Sequence, residues 1–119
     1  MPSVLALMAH PDDAEFLCVG LLTLLRREGW DIHMATMTPG DLGSATLSSD
    51  EIARIRRGEA AASAALLEAS YTCLEFRDLT VVYGEETKRP ASAVLREVRP
   101  DLLVTLHPSD YMEDHTETA

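Results

Sequence analysis

Three of the chain's four histidines fall in two short acidic stretches, His10-Pro11-Asp12-Asp13-Ala14-Glu15 and His107-Pro108-Ser109-Asp110-Tyr111-Met112-Glu113-Asp114-His115. Imidazole nitrogen and carboxylate oxygen are the donors a catalytic zinc takes, three from the protein, with a fourth position left for water. His10 and Asp13, three residues apart, can reach one ion together, and His115 is the candidate third ligand. Asp12 then stands beside the ion without binding it, where it suits a general base for an attacking water. Adjacent carboxylates stay ionised at lower cost when a cation is near, so a metal also accounts for the Asp12-Asp13 pair. The same donors admit iron, manganese or cobalt.

Each residue has a plainer role open to it. Asp13 fits a helix N-cap and Asp12 a solvated turn. His115 fits the surface of a first helical turn, and His107 the support of its own loop. His33 lies away from both stretches and reads as structural.

These residues need elements that bring two distant loops to one place. Val4–Met8 is an apolar run that stops abruptly at the first acidic stretch, as a buried strand entering a functional loop does. Glu15–Glu28 reads as one helix, with Phe16, Val19, Leu22 or Thr23, and Arg26 at helical spacing and Gly29 at the C-terminal cap position. Ile32–Met37 is a second strand, followed by a loop of about eight to ten residues containing Gly40 and Gly43. Ser48 and Glu51 have the spacing of a capping box, which opens a helix from about Ser49 to Ala69.

Tyr71–Phe76 is a third strand, and Thr87–Val98 a third helix with Pro90 in its first turn. Leu102–Leu106 is a fourth, fully apolar strand. Apolar strands alternating with helices predict an α/β, Rossmann-like parallel sheet covered by helices on both faces, one domain over 1–119. In that order the first and fourth strands are neighbours, so both acidic loops open on one crevice at the carboxyl ends of the strands. Asp114 through Ala119 reads as an N-cap and a single helical turn at which the chain stops. So short a helix is unstable alone, so either the last turn is frayed or, the favoured expectation, the sequence is the front part of a longer protein.

Composition narrows the function classes. Hydrophobic residues make up 46% and charged residues 25%, as in ordinary globular domains. The net charge of −10, from twenty acidic and ten basic residues, is the wrong sign for a nucleic-acid surface. No apolar run approaches the roughly 18–20 residues of a membrane span, and the N-terminus lacks signal-peptide features. Cys18 and Cys73 are far apart and read as buried free thiols, so the expected location is the cytosol. A homo-oligomer is compatible with all of this. No G-x-G-x-x-G follows the first strand, which counts against a nucleotide binder.

His10-Pro11-Asp12-Asp13-Ala14-Glu15 resembles the signature of the PIG-L/LmbE-like zinc-dependent de-N-acetylases, and the resemblance runs through nearly the whole chain. Thr38-Pro39-Gly40-Asp41-Leu42-Gly43-Ser44 is similar to the family's glycine loop, and Arg56-Arg57-Gly58-Glu59-Ala60 to its R-x-x-E helix motif. Arg99-Pro100-Asp101, the next strand and Asp114-His115 resemble its second metal motif. The resemblance implies His10, Asp13 and His115 as metal ligands, Asp12 as base and Arg56 as a substrate contact. It also implies hydrolysis of an N-acyl amino sugar or similar small amide, in a protein about twice this length.

A helical wheel puts Ile52, Ile55, Glu59, Ser63 and Leu66 near one face, with Arg56 close beside it, where an unpaired charge is costly. A plain Arg56–Glu59 pair at i, i+3 accounts for the same two charges. The chain departs from the family at Met112, where an H-x-D-H arrangement carries a histidine that stabilises the oxyanion. Losing such a donor costs about 10²–10³ in turnover. Met112 therefore implies slow chemistry, recruitment of His107 or Tyr111, another substrate, or a metal- or sugar-binding domain of the same fold with weakened catalysis.

Overall fold

Ser3–Met8, a run without a charge, forms β1, and all six of its residues are buried. A computed structural model describes residues 1–119 and sets β1 inside an all-parallel four-stranded sheet of order β3-β2-β1-β4. β2 is Asp31–Thr36, β3 Ser70–Cys73 and β4 Leu102–Val104. β1 pairs with β2 from Ser3↔Asp31 to Met8↔Thr36 and with β4 from Val4↔Leu102 to Ala6↔Val104.

Side chains of a strand alternate between faces, and β1 feeds two cores in that way. Val4, Ala6 and Met8 pack with Ile32, Met34, Leu22 and Ala64 on one face. Leu5 and Leu7 pack with Ala35, Met37 and Val81 on the other, beneath Val94, Leu95 and Val98. The helices between β1, β2 and β3 thus cover one face and α4 (Glu85–Val98) the other, as right-handed crossovers require. β4 is joined to β1 at its base by a reciprocal clamp. The Ser3 N–H donates to Asp101 Oδ2 at 2.8 Å, and the Asp101 N–H donates to the Ser3 carbonyl at 2.9 Å.

Several local expectations change. The first helix is two, α1 (Asp13–Leu17) and α2 (Val19–Arg27), separated at Cys18, whose φ of −144° leaves the helical region. Its inward stripe is Ala14 and Leu22, buried, with Cys18 and Leu25 partly buried, while Phe16 is 83% exposed and Val19 is also exposed. α3 (Ser49–Leu66) starts at the capping box, with the Glu51 N–H on Ser48 Oγ and the Ser48 N–H on Glu51 Oε2. Its buried residues are Ile52, Ala53, Ala60 and Ala64, so Arg56 lies in line with the buried stripe while Ile55 and Leu66 face outward.

α4 begins two residues early, at Glu85, so Pro90 lies in its second turn and gives up one hydrogen bond of the helix. β4 is an edge strand of three residues rather than five, and Leu102 and Leu103 are exposed. No helix is long and apolar enough to cross a membrane.

Candidate metal centre

The strand order reverses between β1 and β4, so the carboxyl ends of these strands border a topological switch point, where α/β sheets carry their ligands. The loop after β1 is shaped by its own carboxylates. Asp13 Oδ2 accepts the His10 N–H at 2.9 Å, and Glu15 Oε2 accepts the Asp12 N–H at 3.1 Å. Asp12 is held in the left-handed region, with φ 82°, a conformation Asp tolerates better than most residues and one that often marks functional loops. The second loop ends in α5 (Glu113–Thr118), whose N-cap is Met112 rather than Asp114.

His10, Asp13 and His115 come together, with their ligand atoms all within 4.8 Å of one another. Asp13 Oδ2 lies 3.5 Å from His10 Nδ1 and 3.4 Å from His115 Nε2, and the two rings are 5.4 Å apart. Ligand atoms about 2.0–2.1 Å from a tetrahedral ion stand about 3.3–3.4 Å from each other, so the two distances from Asp13 are compatible with shared ligation of such an ion. His115 is buried, and its Nε2 has no hydrogen-bond partner. Its Nδ1 lies 3.1 Å from Asp110 Oδ2. A carboxylate can only accept, so the proton sits on Nδ1 and the Nε2 lone pair points at the Asp13 oxygen.

His10 is bracketed on its other edge. Nε2 lies 2.8 Å from Asp114 Oδ2 and 2.9 Å from Asp78 Oδ1. Burial opposes protonation of this ring, yet hydrogen bonds to Asp13 and Asp114 prevail and raise its pKa to about 9. The Met112 N–H, followed by the His115 ring, holds the Asp110 carboxyl below its usual range. Asp13 touches both imidazoles, Asp78, Asp110 and Asp114 touch one each, and none of the four is paired with a lysine or arginine. So much negative charge around two rings is the environment a divalent cation relieves. The donor set therefore fits such an ion.

Asp12 stands outside the donor set. Its Oδ2 is paired with the Arg56 guanidinium, which also donates from Nη1 to Glu59 Oε2 at 2.6 Å. Gly40, with φ 69°, approaches both partners' neighbourhoods, and a Cβ there would meet Pro11 Cδ at 3.4 Å. The plain i, i+3 pair is thus present, and Asp12 shares the same arginine. His107 is exposed and takes the Ser109 N–H on Nδ1, apart from the cluster. Tyr111 is 92% exposed, with its ring 6.2 Å from that of His115. His33 pairs with Ser70 Oγ across β2 and β3.

Three carboxylates escaped the reading of sequence alone. Asp110 and Asp114 lie in a stretch rich in ligand types, and their spacing from His115 was the available signal. Asp114 looked like a helix cap, but it is 2% exposed and accepts the Leu79 and Val81 N–H groups as well as facing His10. Asp78 gave no signal, because a lone aspartate in Arg77-Asp78-Leu79 looks like any solvated turn residue.

A family model described as PIG-L, GlcNAc-PI de-N-acetylase, matches residues 5–119. A diacetylchitobiose deacetylase of Thermococcus kodakarensis is 29% identical over 115 residues, covering 94% of this chain and 43% of its own length. The structure of the N,N'-diacetylchitobiose deacetylase of Pyrococcus horikoshii superposes with a TM-score of 0.91 and 31% identity, covering 98% of this chain and 46% of that one. GalB, the 4-carboxy-2-hydroxymuconate hydratase of Pseudomonas putida KT2440, gives a TM-score of 0.89 at 25% identity, covering 98% of this chain and 52% of that one. The chain thus spans about half the length of these relatives.

Proposed function

The chain belongs to the PIG-L family, GlcNAc-PI de-N-acetylases by description, and on that premise we propose that it carries the metal centre of a hydrolase acting on an N-acyl amino sugar or similar small amide. His10, Asp13 and His115 hold zinc in this reading, and Asp12 is the general base. The observation that carries it is the buried His115 Nε2, unpartnered and 3.4 Å from Asp13 Oδ2. A buried polar atom left unpaired costs about 1–3 kcal/mol, a cost that a bound cation removes. The likeness to deacetylases of diacetylchitobiose supports the amino-sugar class. The unpaired Cys18 and Cys73 support a reducing, cytosolic setting.

When bound, the cation supplies Lewis acidity, polarising the amide carbonyl and making a water acidic enough to attack near neutral pH. Asp12 takes the proton of that water and later delivers it to the departing amine. Arg56 engages Asp12 Oδ2, which fixes the carboxylate and leaves Oδ1 to carry the proton. Its remaining N–H donors are available to a substrate hydroxyl or carbonyl.

Met112 favours a second reading, a metal- or sugar-binding domain with weakened turnover, because its thioether is no donor for an oxyanion. Metal analysis of wild type beside His10→Ala, Asp13→Ala and His115→Ala, with amine release measured on N-acetylglucosamine and diacetylchitobiose, separates the readings. One zinc per chain with amine release supports the hydrolase. One zinc without release supports the binding domain. Undiminished zinc in all three variants removes the assignment of the centre. Because GalB shares the fold, hydration of an unsaturated carboxylic acid belongs in the same assay.

A further inference from the structure

We propose that Asp78, in the segment between β3 and α4, is a positioning residue of the metal centre that aims His10 and ties the glycine loop after β2 to it. The inference rests on the metal-centre reading above.

Asp78 is 6% exposed, and its two oxygens face different elements. Oδ2 accepts the Leu42 N–H at 3.3 Å, from the loop that contains Gly40 and Gly43. Oδ1 lies 2.9 Å from His10 Nε2 and has no hydrogen-bond partner. The reason is stoichiometric. Nε2 carries at most one proton, and Asp114 Oδ2, at 2.8 Å, takes it.

Two buried carboxylates therefore flank one N–H and hold the ring edge-on, so that Nδ1 faces Asp13. A histidine that binds metal through one nitrogen needs its proton on the other, and carboxylates on that edge enforce this tautomer. Asp78 Oδ1 accepts no proton here, but it excludes the flipped tautomer, whose bare Nε2 would face two anions.

The surrounding backbone holds this arrangement. Leu79 has φ 62°, a left-handed conformation unusual for a branched residue. It lets the Leu79 N–H reach Asp114 Oδ2 while the preceding Asp78 carboxylate faces the same ring. Val81, 1% exposed, anchors the segment in the core, and its N–H takes Asp114 Oδ1. On the other side, the Asp78 N–H donates to Asp41 Oδ1 at 2.7 Å, and Ser49 Oγ donates to Asp41 Oδ2 at 2.8 Å. A continuous path runs from the start of α3 through Asp41 and Asp78 to His10.

The test is the zinc and cobalt dissociation constant, measured by chelator competition on purified protein. Wild type is compared with Asp78→Asn, Asp78→Ala and His10→Ala, with folding checked by circular dichroism. Asn preserves the acceptor for Leu42 but turns an N–H toward His10, so it opposes the Nε2–H tautomer while keeping the loop contact. The inference expects both Asp78 variants to bind about 10–100-fold more weakly, as loss of such outer partners does. It also expects an altered cobalt visible spectrum and little change in the melting of metal-free Asp78→Asn. Affinities within about twofold of wild type in folded Asp78 variants overturn it while His10→Ala still loses metal. Retention of metal by His10→Ala overturns the underlying reading instead.

Discussion

His115 Nε2 stands 3.4 Å from Asp13 Oδ2, buried and without a hydrogen bond, although the opposite nitrogen of the same ring is satisfied by Asp110. Folding has prepared an acceptor lone pair opposite a carboxylate oxygen. Two acceptors face each other stably only when something positive lies between them.

Zinc should accordingly stabilise the protein through this pair. At a free zinc concentration of 100 times Kd the gain is about 2.7 kcal/mol, read as a rise in melting temperature over chelator-treated protein. His115→Ala should abolish that rise. Its metal-free stability should fall only by the lost Asp110 hydrogen bond and the cavity left by the ring, a loss that zinc does not restore. An equal zinc-dependent rise in His115→Ala would count against His115 as a ligand.

A pH effect of definite sign follows from His10. Its pKa in the metal-free fold is about 9, above the 6.5 of an unperturbed histidine. The folded state therefore holds this proton more tightly than the unfolded chain. The stabilisation is complete below about pH 6.5, declines through the interval and is lost above about pH 9. Urea midpoints of chelator-treated protein should fall over that window, by at most roughly 1.4 kcal/mol per pH unit. His10→Gln should flatten the profile. Zinc affinity should run the opposite way and rise toward pH 9, because metal and proton compete for the ring.

The sheet was legible because its strands are apolar runs and its helices carry punctuation, such as the Ser48–Glu51 capping box. The convergence of His10 with His115 followed from the same order, since neighbouring strands put their following loops side by side. Hydrophobic periodicity misled where small residues do the packing. Ala14 and Cys18 bury the first helical segment while Phe16 faces outward, and alanines rather than Ile55 and Leu66 bury α3. Asp78 was invisible for another reason. Its partners Leu42 and His10 are 36 and 68 positions away, and only tertiary structure brings them to it.

Asp12 joins a left-handed backbone conformation to the proposed role of general base, and the two separate by substitution. Asn tolerates the left-handed conformation at φ 82°, so Asp12→Asn should keep the fold and bind zinc like wild type. It should nevertheless lose about 10²–10⁴ in turnover, the usual contribution of a general base. Asp12→Ala should lose turnover and also about 1–2 kcal/mol of stability, from the backbone conformation alone. Turnover of Asp12→Asn near the wild-type rate would move the base elsewhere.

Met112 is the residue at which the chain departs from the pattern that its resemblance to the family implies, and its position makes the consequence measurable. It is the N-cap of α5, three residues before His115, and its N–H is held by Asp110 Oδ1 at 3.0 Å. Its backbone is thus fixed by the carboxylate that also orients His115, and a new side chain there starts from a defined point beside the donor set. A thioether offers no proton to a developing oxyanion, whereas an imidazolium does. Met112→His should therefore raise kcat on an N-acetyl amino sugar, by up to about 10²–10³, with little change in zinc affinity. The gain should be lost at high pH as the new ring deprotonates. No gain, in a variant that still binds one zinc, would mean that the oxyanion donor already comes from another residue or that the natural reaction needs none.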